Sequence, residues 1–136
     1  MISVNGKPIT PDIAVETAGT GAYFESGSAT TTDGTVTTVW EKDLPDGFVG
    51  ALDIILVGHR EGATAGRAMY RRSVIAYRAG SSAAVGSPDT LGTDVETTAG
   101  YDITVNATDT KVRVRATGAS SHTIRWTCGV RIVVVG

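Results

Sequence analysis

The sequence predicts an all-β fold, an antiparallel β-sandwich of jelly-roll kind with an extended N-terminal arm, and three observations predict it. The first is the kind of apolar residue present: 20 Thr, 16 Val and 9 Ile stand against 4 Leu in 136 residues. Branched β-carbons lose rotamer freedom on a helix and pack well on a pleated surface, so such a chain favours strands. The second is apolar alternation of period two in segment after segment. The third is turn chemistry, with 17 glycines punctuating those segments and no helical period between them. Short strands joined by turns make an antiparallel sandwich or jelly roll, with a barrel as the alternative closure. The length suits one core, expected over residues 29–136, with residues 1–28 as the arm.

In the arm, Ile2 to Ile9 reads as a small hairpin around Asn5-Gly6, a dipeptide that tolerates the positive φ of a tight turn. Pro8, Pro11 and the small residues Ala18 to Gly21 interrupt any longer element, leaving Tyr23 and Phe24 as bulky anchors. From Thr35 the strands begin. Val36, Thr38, Trp40, Lys42 and Leu44 share one parity, and Pro45-Asp46-Gly47 supplies a turn. Phe48 to Val57 is apolar on both parities, with Asp53 the single charge, so this strand is expected to be covered on both faces, the second by an N-terminal segment or a neighbouring subunit. Arg60 to Ala65 reads as an exposed hairpin loop. Ala68 to Arg78 alternates without declaring which parity faces inward. A short strand near Ala83 to Val85 and a loop through Pro88 and Gly92 lead to Tyr101, Ile103, Val105 and Ala107 on one face. Val112, Val114 and Ala116 alternate with Lys111, Arg113 and Arg115. In the last strand Ile124, Trp126, Cys128, Val130, Ile132 and Val134 share the core parity.

Composition narrows function. A formal net charge of -2 gives no bulk pull toward nucleic acid or anionic lipid. The longest apolar run, Ile132 to Val135, is far shorter than the roughly 20 residues of a membrane span, and the start lacks the pattern of a signal peptide. One cysteine excludes an internal disulfide, and Cys128 on the core parity reads as a small hydrophobe. His59 and His122 lie far apart, with no His, Cys or carboxylate cluster at ligand spacing, so no metal site is expected. The Gly58 to Gly66 stretch lacks the Lys-Ser/Thr and following helix of a phosphate loop, and no cofactor, catalytic residue or small-molecule substrate is expected. Arginine on strands is the charge pattern that stands out, at Arg67, Arg71, Arg72, Arg78, Arg113, Arg115, Arg125 and Arg131. Guanidinium forks suit subunit interfaces; nucleic-acid binding is the competing use, though it would want exposed aromatics and a basic balance, and the plain alternative is cross-strand pairing on a solvated face.

The run Ala29-Thr30-Thr31-Thr32-Asp33-Gly34-Thr35, the strand Tyr70-Arg71-Arg72-Ser73, then Tyr101-Asp102-Ile103-Thr104-Val105, Val112 to Gly118 and Ile124-Arg125-Trp126 resemble a β-module of tailed-bacteriophage virion proteins. The resemblance spans about Ala29 to Val135 and rests on strand and turn residues. It implies a non-enzymatic virion structural protein, first of all a capsid cement (decoration) protein. With Met1 at its start and a strand at its end, the chain is expected to be a stand-alone product, made in the host cytoplasm and carried on the capsid surface. It would form a dimer or trimer and clamp the major capsid protein, without nucleic acid or membrane as partner. Apolar arm residues Ile2, Val4, Ile9, Ile13, Val15, Tyr23 and Phe24 and the arginines Arg71, Arg113, Arg115 and Arg125 are the candidate capsid or subunit contacts. The alternative is a tail-fibre or baseplate module that binds a host receptor or glycan.

Overall fold

In the computed structural model, which describes residues 21–62 and 66–135 and the backbone of Ser3–Val4 and Lys7–Pro8, every regular element is a strand. β1 (Ser3–Val4) and β2 (Lys7–Pro8) pair with each other, Ser3 opposite Pro8 and Val4 opposite Lys7. β3 (Gly21–Thr31), β4 (Thr37–Asp43), β5 (Val49–Arg60) and β6 (Arg67–Ala79) follow. Three short pieces come next, β7 (Ser82–Val85), β8 (Asp89–Thr90) and β9 (Val95–Glu96), and then β10 (Asp102–Thr108), β11 (Lys111–Thr117) and β12 (Ile124–Val135). All pairings are antiparallel. The larger sheet runs β3-β12-β5-β6-β7, and β8 and β9 extend the β7 edge along β6. The smaller sheet runs β10-β11-β4.

The spatial order β12-β5-β6-β7 is that of a Greek key, three sequential strands with a later one returning beside the first. The fold is all-β with antiparallel sheets. Residues 21–28, which the sequence reading assigns to the arm, lie in β3, and β3 pairs with β12 along its whole length from Gly21 to Thr31. Its inward parity carries Tyr23, Glu25, Gly27, Ala29 and Thr31, too small and polar to announce an apolar period. Residues 9–20 lie outside the described residues.

One core fills the space between the sheets. Leu52, Ile54 and Leu56 of β5, Tyr70, Val74 and Ala76 of β6, and the even positions of β12 meet Val112, Val114 and Ala116 of β11 and Ile103 of β10. β4 breaks simple alternation. Val114 opposes Trp40 and Arg115 opposes Thr38, so Val39 is an extra residue, and both Val39 and Trp40 are buried. Residues of the quoted motifs tie one corner. The buried indole of Trp126 donates from Nε1 to Thr31 Oγ1 at 2.9 Å, and its ring meets the edge of Tyr101 at 6.1 Å. Tyr101 Oη in turn hydrogen-bonds His122 Nδ1 at 2.7 Å. Gly58 lies beneath this corner, where a Cβ would sit 2.5 Å from Trp126 Cε3, so the ring needs a bare backbone there.

Candidate functional site on the outer face of the larger sheet

Strand parity builds the site. With the even positions of β5, β6 and β12 turned to the core, their odd positions and the even positions of β3 share the opposite face. The registers set these residues in rungs. One runs Phe24, Arg131, Asp53, Ser73, Asp89; the next runs Ser26, Gly129, Ile55, Arg71; a third runs Ser28, Thr127, Val57, Met69, Val95. Toward the other end Val133, Ala51 and Ile75 form one rung and Val135, Val49 and Tyr77 another. Among the described residues, ten of the eleven large hydrophobics left exposed lie here, from Met69 at 38% to Val135 at 69%. The both-face cover expected for Phe48 to Val57 is absent among the described residues. The inner parity is buried and Val49, Ala51, Asp53, Ile55 and Val57 are exposed.

A cleft of about 520 Å³ opens at the centre of this face, lined by Phe24, Asp53, Ile55, Val57, Arg71, Leu91, Thr127, Gly129 and Arg131. Phe24 lies across Gly129, where a Cβ would approach its ring to 2.7 Å, so a side chain at 129 would displace the cleft wall. Among the described residues neither the Arg71 nor the Arg131 guanidinium has a hydrogen-bond or ion-pair partner, although Arg131 sits opposite Asp53 in the ladder. The face is therefore apolar with a charged belt, an arrangement suited to packing against a protein surface.

Titratable groups elsewhere serve the scaffold. Tyr70 Oη donates to Glu96 Oε2 at 2.6 Å, and burial together with that carboxylate pushes the phenol well above its ordinary range. Arg72 makes two bonds to Asp94, 2.7 and 2.9 Å, which hold the Asp94 carboxyl below its ordinary value and the guanidinium above its own. These contacts fasten the 94–96 segment to β6. Glu25 accepts from Trp40 Nε1 at 3.1 Å and Lys42 Nζ at 3.0 Å, joining the two sheets. Burial works to lower the Lys42 ammonium, but Glu25 and Tyr23 raise it overall. Cys128 is buried and its thiol is pushed up to about 12 by desolvation, an inert state. Among the described residues no group of three or more His, Cys, Asp or Glu could hold a metal ion, and no helix is long and apolar enough to cross a membrane.

The candidate contacts named from sequence divide. Ile2, Ile9, Ile13 and Val15 lie outside the described residues, as does the side chain of Val4. Phe24 and Arg71 meet at the cleft. Tyr23, one residue from Phe24, turns inward against the core with Lys42 over its ring at 5.3 Å. Arg113 and Arg115 belong to the smaller sheet, where Arg113 Nε donates to Asn106 Oδ1 at 3.1 Å and Arg115 Nη2 to the Val36 carbonyl at 3.1 Å. Arg125 is at the far end of β12, 3.3 Å from Glu61. Arg71 and Arg125 thus share the outer face of the larger sheet on separate rungs, while Arg113 and Arg115 lie on the smaller sheet. Asp53, Ile55, Val57, Gly129 and Arg131 were not among the candidates; the apolar run on both parities of Phe48 to Val57 is a signal for Ile55 and Val57, and nothing comparable marks Gly129.

No family model and no curated protein matches the chain. Among solved structures it is similar to the tailspike protein of Acinetobacter baumannii phage AM24, at 14% identity and a TM-score of 0.49 over 90% of this chain and 27% of that one. It is also similar to a tailspike protein of Acinetobacter baumannii bacteriophage Fri1, described as a capsular polysaccharide depolymerase, at 13% identity and a TM-score of 0.41 over 84% of this chain and 20% of that one. The chain spans about a quarter of the first and a fifth of the second. The expectation of a non-enzymatic protein is corrected by this finding, since the Fri1 protein is a depolymerase, and it is withdrawn.

Proposed function

We propose that this chain is a module of a tailed-phage tail protein, of tail-fibre or tailspike kind, that works by packing against another chain of the particle. The observation that carries the reading is the outer face of the larger sheet, where ten large apolar side chains stand open around a charged belt. A patch that exceeds a few hundred Å² is rare on a protein that acts alone. In a particle each such contact is repeated, so modest interfaces gain by avidity. The strand and turn residues that resemble the virion β-module support the phage assignment, since Thr31, Tyr101 and Trp126 are the ones that lock a corner of the fold. The tail is preferred to the capsid shell for two reasons. Both solved structures named above are of tailspike proteins. The capsid clamp also relied on an arm whose residues 21–28 are here part of a sheet.

Immunogold electron microscopy of the phage that encodes the chain tests this directly. Gold at the tail is the expected result. Gold over the head would return the capsid decoration reading, and particles without label would end the virion assignment.

A further inference from the structure

We propose that the partner on this face is a second copy of the chain, packed sheet to sheet about a two-fold axis that runs along the strands between β12 and β5. The inference rests on the reading of the face as an association surface and names its occupant.

Area is the first argument. The exposed side chains of this face, 38% to 69% open, leave on the order of 800 Å² per copy, the share that each partner buries in a stable standard-size interface. Charge is the second. Arg131 and Asp53 are neighbours on adjacent strands of one copy. A two-fold along the strands exchanges β12 for β5 across the interface, so Arg131 of each copy faces Asp53 of the other and each charge gains a counter-ion in the partner copy. The same operation sets Ile55 of one copy over the Phe24 ring that covers Gly129 of the other, an apolar contact. A two-fold across the strands through the same rung would instead bring Arg131 against Arg131. The belt therefore selects among the ways two such faces can meet, which is how charge fixes register in an isologous interface.

The test uses the full chain, with mass read by light scattering over a range of concentrations. Wild type should be a dimer that dissociates on dilution. Asp53→Arg alone and Arg131→Asp alone should each weaken self-association about a hundredfold, because each homodimer then carries two like-charge contacts. An equimolar mixture of the two variants should restore the dimer, since every interfacial pair is again opposite in sign. Recovery on mixing also shows that the variants fold, and near-native circular dichroism of each alone checks it independently. A wild-type chain that stays monomeric at every concentration overturns the proposal. If that monomer also fails to bind a hydrophobic dye, residues 1–20 of the same chain are the occupant. A trimer, or a mixture that remains monomeric while both variants are folded, overturns the two-fold pairing. Failure here would leave the immunogold result untouched, and gold away from the tail would leave the dimer standing.

Discussion

Single side chains decide how tightly the two sheets are tied. Trp126 has one polar atom, and it is buried against Thr31, which is itself only 3% exposed. Thr31→Val keeps the shape and removes the acceptor, leaving an indole N–H without water or partner, so urea denaturation should show a loss of about 1–3 kcal/mol. No loss would mean that the bond contributes nothing net. Gly58→Ala at the same corner drives a methyl into the Trp126 ring and should cost about 1–3 kcal/mol by overpacking. The Arg72 pair adds a pH term. Arg72 holds the Asp94 carboxyl below its ordinary value of 3.8, so the folded state takes up that proton less readily than the unfolded chain. The stabilisation is therefore complete well above the unfolded value and fades as pH falls through it toward the lower folded one. With Asp94 partly in solvent it is worth about 0.5–1 kcal/mol. Asp94→Asn should lower Tm at pH 7 and flatten its decline between about pH 5 and pH 3. An acid limb as steep as that of wild type would remove the pair from the account.

Strands differ in how firmly they are held, and in how plainly the sequence announces them. β12 and β5 are paired on both sides, whereas among the described residues β8 and β9 pair only with β6, through two residue pairs each. Native-state hydrogen exchange should therefore be slowest in β12 and β5 and fastest around Asp89–Thr90 and Val95–Glu96, and comparable rates in both would contradict the sheet order. The well-held strands are also the legible ones. Ile124 to Val134 keep a strict period because one face must be apolar and the other need not be. β3 was hidden because an edge strand capped by Glu25 and Gly27 needs no apolar stripe, and Val39 hid the bulge in β4. The candidate site was half visible. Phe24 and Arg71 stood out as residue types, but their meeting with Asp53, Ile55 and Arg131 depends on the register of four strands. Register follows from long-range pairing, which no local window contains.

The whole molecule is closed by its last strand. β12 lies between β3 and β5, so the sheet is continuous only once Ile124–Val135 has been inserted between strands from the first half of the chain. That strand contributes Ile124, Trp126, Cys128, Val130, Ile132 and Val134 to the core, all at 8% exposure or less. At about 1.5–3 kcal/mol for each large side chain buried, they supply on the order of 10 kcal/mol, comparable to the whole net stability of a domain. A chain that stops before Ile124 should therefore show no cooperative thermal transition, and a sharp transition in it would mean that β3 and β5 can pair without β12. The same topology sets the folding time. Gly21–Thr31 must find Ile124–Val135 across nearly the full described length, so loop closure has to precede most of the gain from burial. Stopped-flow refolding, followed by tryptophan fluorescence as the rings of Trp40 and Trp126 enter the core, should run on the millisecond-to-second scale of non-local β folds. Refolding in microseconds would show that local hairpins, rather than the joining of first and last long strands, limit the rate.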